Sequence, residues 1–479
     1  RDHPFDSRPL FHRLGDLLRM GVSTEMAGKG DSSGAVAGKE MSRIKRMVTG
    51  LGMETREKRA LWVVKMMVFL DMVGVGLFVP LLSYYWKDLG VRPELLGFVQ
   101  STYQLSQICS GIVIGWIGDH VLGRKNVLLL SLVGSAVSYT MAAMAWQTST
   151  IWLLVASRVV VGLVKQTMTF SRAVITALSS QEDRTQHLSH LRASATLAFM
   201  IGPTIGGLLS KNFDRAAPAY AASALFLFNA AMIAFLLPTE LAEVHAHSDA
   251  KKTDQPTDEV AKPKKAQESM FRRIRSILSD EGLGRLTLIK FVNSLFQASL
   301  MAAGSRYVAD KYALEPHHMG YLSSFQSIVS LANSMFGVAA VARFFGEERT
   351  LHIGIVVATC LVAFEAFNTS VYLYLLLIPF RSLASDLISQ MFEVIFTDVV
   401  PEAEMSSALG TLGLLKAIAR VCGPIYGGFL MGYIEPFAGS HTRPFMEGSH
   451  NIVILLMLLG AYPMLIHSAK SAKDKLKKE

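Results

Sequence analysis

The sequence predicts an all-α membrane protein, with twelve transmembrane helices arranged as two parallel-repeat six-helix bundles, and three observations carry the prediction. The first concerns solvent: 51% of the 479 residues are apolar and only 18% are charged, with a mean hydropathy of +0.34. Soluble chains carry about 25% charged residues, so this apolar excess needs an apolar medium outside the molecule as well as a core inside it. The second is spacing. Apolar runs of about 20 residues, the length that crosses ~30 Å of hydrocarbon at 1.5 Å per residue, recur with short polar breaks. The third is an internal repeat that doubles a six-helix unit.

Taken in order, the spans fall at 60–85, 95–117, 126–146, 150–172, 190–210 and 217–237, then at 284–306, 318–341, 350–369, 371–395, 405–431 and 450–467. The first follows a basic run, Arg43, Lys45, Arg46, Arg56, Lys58 and Arg59. The sixth stops at Pro238, where the gap that contains AHSDAKKTDQPTDEVAKPKKAQES begins. That gap is too polar to fold alone and reads as a flexible cytosolic linker. The domains expected are therefore a disordered cytosolic segment at 1–59, a six-helix bundle at 60–237, a linker at 238–283, a second six-helix bundle at 284–468 and a basic tail at 469–479. Within the linker, Met270, Phe271, Ile274, Ile277 and Leu278 share one helical face. An interfacial helix and a plain basic linker are both open readings there. The chain starts at Arg1 rather than Met, so its start carries no reading of a targeting segment.

Lys and Arg gather before the first span, after the second (Arg124, Lys125), in the central gap and in the tail (Lys470, Lys473, Lys475, Lys477, Lys478). By the positive-inside rule these segments stay cytosolic, and an even number of spans puts both termini there. The net charge of +9 then reflects topology and attraction to anionic lipid, not nucleic acid. Cys109, Cys360 and Cys422 sit singly in apolar runs and read as small core residues, neither disulfide nor metal ligands. Asn368-Thr-Ser370 matches a glycosylation acceptor, although the turn is expected to lie tight against the membrane.

The repeat has three landmarks. Gly202-Pro-Thr-Ile-Gly-Gly207 in span 5 recurs as Gly423-Pro-Ile-Tyr-Gly-Gly428 in span 11, 221 residues on. Arg158 and Arg381 are 223 residues apart, and Gly115 and Gly337 are 222 apart. Because six is even, the two copies share one membrane orientation and are related by an axis along the membrane normal. In secondary transporters such a repeat places a site near the midplane, between the halves.

The loop Gly115-Trp-Ile-Gly-Asp119-His-Val-Leu-Gly123-Arg124-Lys125 resembles the signature loop of the major facilitator superfamily, with one extra residue between Asp119 and Gly123. Its second copy, which runs from Gly337 through Arg343 to Gly346, lacks the aspartate, so the first copy is the expected gate. Gly202, Pro203, Gly206 and Gly207 resemble that superfamily's antiporter motif, with Gly423, Pro424, Gly427 and Gly428 as its second copy. Small residues let helices approach closely, and proline bends them. With Leu70-Asp71 to Pro80, Ser157-Arg158 to Gly162, and Gln181 to Arg184, the resemblance runs from about residue 60 to 468 and is nearest the tetracycline-antiporter-like group. It implies that spans 1, 4, 7 and 10 line a central cavity.

Ionisable residues inside a membrane cost several kcal/mol and are functional by default. Asp71 is central in span 1; Arg158, Lys165 and Arg172 follow at seven-residue spacing on one expected face of span 4. Span 10 carries Arg381 and a stripe of Asp386, Gln390, Glu393 and Thr397; Lys416 and Arg420 are central in span 11, Lys290 is early in span 7, and Glu365 is near the outer end of span 9. A cationic wall on span 4 facing an acidic wall on span 10 suits a charged or zwitterionic solute, or a proton relay. The expected site is Asp71, Arg158, Lys165, Arg381, Asp386 and Gln390: Asp71 and Asp386 for protons, Arg158 and Arg381 for an anionic group or for tuning the carboxylates, Lys165 for substrate contact. The alternative is mutual neutralisation, Asp386 with Lys416 or Arg420 and Asp71 with Arg158.

The function expected is proton-coupled secondary transport of a small organic solute by a monomer among membrane lipids, without cofactor, metal or nucleic acid. No phosphate-binding G-x-x-x-x-G-K-[ST] loop is present for ATP drive. No nucleophile and base, and no metal constellation, stands at helical spacing: His317 and His318 are adjacent in a loop, His441 lies outside the spans and His450 is at the very edge of the twelfth. An enzyme is therefore not expected. A non-transporting sensor or scaffold that keeps the fold is the alternative.

Overall fold

The computed structural model describes residues 33–239, 281–400 and 405–438, and all its regular elements there are helical. The twelfth span, the tail, His441, His450 and the Met270–Leu278 stretch lie outside the described residues. Span 1 is the end of the helix Ser33–Phe78, a 3₁₀ turn Val79–Leu81 at Pro80, and the short helix Leu82–Asp88. Spans 2 and 3 are Pro93–Ile117 and Arg124–Gln147; span 4 is two pieces, Ile151–Val164 and Thr167–Leu178. Arg184–Asn212 and Ala217–Leu236 are spans 5 and 6. The second bundle follows with Glu281–Lys311, Pro316–Ala332 continued by Val338–Phe345, Glu347–Phe367, Val371–Val399 and Met405–Ala438 as spans 7 to 11. Among the described residues nine helices are long and apolar enough to cross a membrane, and the helices of spans 7 and 9 fill the expected places between them.

Each bundle has its own core. Met67, Leu128, Leu132, Leu154, Ile175 and Phe226 pack together in the first, and Ile289, Leu351, Ile355, Phe392, Phe396 and Leu412 in the second. The outside is also apolar, with Phe235 and Phe344 almost fully exposed, as a lipid-facing surface permits. That corrects the core reading of Cys109, Cys360 and Cys422, all of which are exposed. A thiol on a lipid-facing helix needs no core to remain out of water.

The two second-to-third loops show the repeat in backbone form. Gly123 (φ +75°, ψ 158°) opens span 3 and Gly346 (φ +77°, ψ 163°) opens span 9, a conformation glycine adopts without strain. The extra residue before Gly123 is absorbed by a π turn, Gly118–Leu122, which contains Asp119. A π turn is how a helix takes in an inserted residue. Span 8 has a π turn at Asn333–Gly337.

Connections after odd-numbered spans share one face of the molecule, here the odd-loop face. Near it the G-P-x-x-G-G motifs make a seam of backbone. Gly202 and Gly206 lie on span 1: an added Cβ on Gly206 would stand 2.0 Å from the Leu77 carbonyl oxygen. Gly423 and Gly427 lie in the same way on span 7, against Leu295 and Ser299. One residue further round the helix, Pro203 and Gly207 meet Gly320 of span 8, and Pro424 and Gly428 meet Gly97 of span 2. A Cβ on Gly97 would sit 2.1 Å from the Pro424 oxygen, and one on Gly320 would sit 2.3 Å from the Pro203 oxygen. Each motif therefore packs its own bundle with one face and the opposite bundle with the next. Hydrogen bonds between bundles gather around this seam: Tyr84 to the Leu314 carbonyl (2.6 Å), Thr204 to Ser324 (2.8 Å), Arg306 to the Val91 carbonyl (2.9 Å) and the ion pair of Lys87 with Asp310.

Candidate functional site

Span 4 is interrupted at Lys165 and Gln166, so Arg158, Lys165 and Arg172 do not share a continuous helical face, which corrects the expected cationic wall. Lys165 has ψ 84° and leaves the helix. Side chains replace the backbone bonds lost there. The Ser131 hydroxyl donates to the Val164 carbonyl (2.5 Å) and accepts from the Gln166 N–H (3.1 Å), while the Gln166 amide donates to Ser110 (2.9 Å) and to the Gln107 carbonyl (3.3 Å). Non-helical backbone at membrane depth is tolerated only where protein satisfies it in this way or where it lines a cavity.

The break aims Lys165 at Asp71. The two form an ion pair, with the Asp71 side chain fully buried and that of Lys165 10% exposed, and the ammonium also stands 4.7 Å from the Phe226 ring centroid. Asp71 thus pairs with Lys165, not with Arg158. The Arg158 guanidinium donates to Ser157 Oγ through Nε (3.2 Å) and lies 5.3 Å from the Phe78 ring centroid and 5.4 Å from that of Tyr139. Its Nη2 has no hydrogen-bond partner, and no carboxylate pairs with it among the described residues. Arg158 and Lys165 border a cavity of about 220 Å³ whose other walls include Trp86, Gln100, Tyr103 and Tyr139.

A second cavity, of about 290 Å³, lies in the other bundle with Gln297, Gln326, Tyr374, Arg381 and Ser385 among its walls. It is the repeat image of the first: Gln100 and Ser323, Tyr103 and Gln326, and Arg158 and Arg381 are each 223 residues apart. The occupants differ. Arg381 forms an ion pair with Glu365, whose side chain is 5% exposed, a partnership not expected from a position near the outer end of span 9. Asp386 accepts a long bond from Ser382 (3.5 Å) and pairs with neither Lys416 nor Arg420. Gln390 turns to Ser334 of span 8 (3.4 Å) and Glu393 to Lys416 of span 11 (3.5 Å), so the stripe on span 10 is divided between neighbours rather than forming one acidic wall. Lys290 is buried over the Phe392 ring (5.1 Å) and donates to the Ser389 carbonyl (3.3 Å).

Among the loop residues, Gly115 has open space where a Cβ would go, and Lys125 donates to the Ala234 carbonyl at the end of span 6 (3.0 Å). Arg124 keeps Nε and Nη1 buried without partners among the described residues. Asn368 is buried and its amide donates to the Ser370 carbonyl (3.0 Å), a local turn that occupies the glycosylation acceptor. Glu315, His317 and His318 converge in the first turn of span 8, with candidate ligand atoms within 4.8 Å of one another, a grouping not expected from the sequence. The Lys211 ammonium stands 3.4 Å from His317 Nε2 and opposes a cation there.

Residues 66–283 match the family model described as Major Facilitator Superfamily. The human protein Solute carrier family 67 member A1 is 25% identical over 354 residues, 73% of this chain and 81% of its own length. The Tetracycline resistance protein, class G, of Vibrio anguillarum is 26% identical over 369 residues, 75% of this chain and 87% of its own. The crystal structure of the nucleoside transporter NupG, 15% identical, covers 84% of this chain and 99% of its own with a TM-score of 0.64. Residues 66–283 therefore resemble the Major Facilitator Superfamily, and the described residues share the fold of the solved transporter structure.

Proposed function

We propose that the protein is a secondary active transporter that moves a small organic solute by alternating access, coupled to protons in the manner of an antiporter. The observation that carries this reading is the buried Asp71–Lys165 pair at the break in span 4. A proton on Asp71 would remove the charge that holds Lys165 and leave an uncompensated ammonium beside the cavity, a state that favours repacking of the break. Asp386, in an ion pair with neither Lys416 nor Arg420 and bonded instead by the hydroxyls of Ser382 and Ser330, is the second protonation candidate. Arg158 would take an anionic group, and the loop at Gly115, Asp119, Gly123, Arg124 and Lys125 would gate the face opposite the seam.

Under the positive-inside rule that opposite face and both termini are cytosolic, and the seam closes the outer or lumenal side. The protein would work as a monomer among membrane lipids. The finer placement, in the tetracycline-antiporter-like group and near the animal protein called major facilitator superfamily domain-containing protein 9, rests on the motifs of spans 1, 2, 4 and 5. The test is uptake into proteoliposomes with and without a pH gradient, over a panel of organic anions, cations and zwitterions. A gradient-dependent signal lost in Asp71→Asn or Asp386→Asn, with the variants still folded, supports the reading. Unchanged uptake in both variants sinks the proton relay, and a flat response to the whole panel supports a scaffold instead.

A further inference from the structure

We infer that the cavity of the first bundle binds a flat, largely apolar organic monoanion, whose single carboxylate-like group is taken by Arg158. The inference rests on reading this cavity as the transporter's substrate site, and it names the substrate class. Three observations carry it. Arg158 is 7% exposed, borders the cavity and leaves Nη2 without a hydrogen-bond partner. A buried guanidinium without a carboxylate is costly in low dielectric, and a planar anion is the group whose geometry satisfies its parallel N–H donors.

Next, the charge count around the cavity is fixed by pairing. Asp71 and Lys165 hold each other, so among the residues that line the cavity Arg158 is the cation left to be matched, and the charge of Arg420 of span 11, which acts on Tyr103, adds to the positive field; this suits an anion and disfavours a cation. Lastly, the surroundings are rings and aliphatic walls. Phe78 and Tyr139 flank the guanidinium, and Trp86, Tyr103, Val75, Val99 and Val161 line the space beside it, with Gln100 and Gln104 as the amide donors and acceptors. Such walls gain from a flat apolar body through stacking and burial.

The repeat supplies an internal control. At the equivalent position of the second cavity, Arg381 already has its carboxylate, supplied by Glu365. The same residue type at the same place in the repeat is thus neutralised by the protein in one bundle and left for a ligand in the other.

The test uses the full-length protein in lipid nanodiscs, with no gradient, and isothermal titration with 2-naphthoate, its uncharged carboxamide and the cationic 2-naphthylmethylammonium. A charge-assisted pair in a buried site is worth enough that the acid should bind about tenfold or more tighter than the amide, with the cation weakest. Arg158→Gln should remove that preference, and Arg158→Lys, which keeps the charge but not the fork, should retain part of it. Equal affinity for acid and amide in the unaltered protein overturns the inference without any variant, as does an Arg158→Gln protein of unchanged melting temperature that binds the acid within twofold. Acid selectivity at Arg158 without proton-driven uptake of the acid would keep the site and defeat the coupled-transport reading, so the two fail separately.

Discussion

The two bundles hold an arginine at the same place in their repeat and treat it in opposite ways. In the second bundle Arg381 meets Glu365, with both side chains mostly buried. In the first, Arg158 faces Phe78 and Tyr139, while the available carboxylate, Asp71, is held by Lys165 from an interrupted span 4. Span 10, the partner of span 4, runs unbroken from Val371 to Val399 despite Pro379 within it. In one copy of the unit the repeat arginine is therefore paired and its helix continuous, and in the other the arginine has no carboxylate and the helix is broken. Duplication supplies two similar scaffolds, and the divergence of a few buried ions gives the two arginines different surroundings.

The comparison can be broken most sharply by removing each arginine in turn. Arg381→Met takes the paired guanidinium from buried Glu365 and should cost about 3 kcal/mol, whereas Arg158→Met takes a cation from no carboxylate and should cost under about 1 kcal/mol or stabilise the protein. Thermal unfolding in detergent reads the difference, and equal losses would end the asymmetry. Next come the glycines of the seam, where the bundles are expected to behave alike. Gly97→Ala and Gly320→Ala each drive a Cβ towards a proline carbonyl of the opposite bundle. Each should weaken closure by about 1–3 kcal/mol, the range for overpacking, seen as increased labelling of cysteines placed on the odd-loop face. A strong effect from one and none from the other would show that the seam is not symmetric.

Ser131→Ala probes the break itself. It removes the bond to the Val164 carbonyl and one of the two acceptors of the Gln166 N–H, which also reaches that carbonyl (2.9 Å); at about 0.5–1.5 kcal/mol it should lower the melting temperature without changing the charge of the site. An unchanged melting temperature would mean that another group satisfies the break. The smallest effect is expected from Lys87→Ala, which removes a half-exposed pair with Asp310. That contact should contribute less than about 1 kcal/mol and vanish in high salt; a larger, salt-resistant loss would make the rim, rather than the backbone seam, the main seal.

Hydropathy and the six-helix repeat made the first eleven spans legible, because a bilayer imposes one length on every crossing helix. The motif glycines were legible too, since only glycine allows backbones to touch as Gly206 and Leu77 do. The break in span 4 was not. Its cause lies in side chains distant in sequence, Ser131, Ser110 and Gln107, and local composition at Lys165 looks helical throughout. Pairing was harder still. Seven-residue spacing put Arg158, Lys165 and Arg172 on one face; Arg158 and Lys165 do border one cavity, but the break separates Arg172 from them and spacing says nothing of the carboxylate that Lys165 takes. The partnership of Arg381 with Glu365 joins neighbouring helices at a depth that span boundaries read from sequence do not resolve.

The seam has a further consequence, for speed. Where Gly97 meets Pro424 and Gly320 meets Pro203, the touching surfaces carry no rotamers, so each closure orders no side chain at its centre. Under the proposed alternating access, the centre of the contact would re-form as quickly as the bundles swing together, with no search for the right side-chain arrangement. The longer side chains at the rim, Lys87, Arg306 and Lys211 among them, do have that search to make. They are the parts of the latch that would set how long the face stays shut.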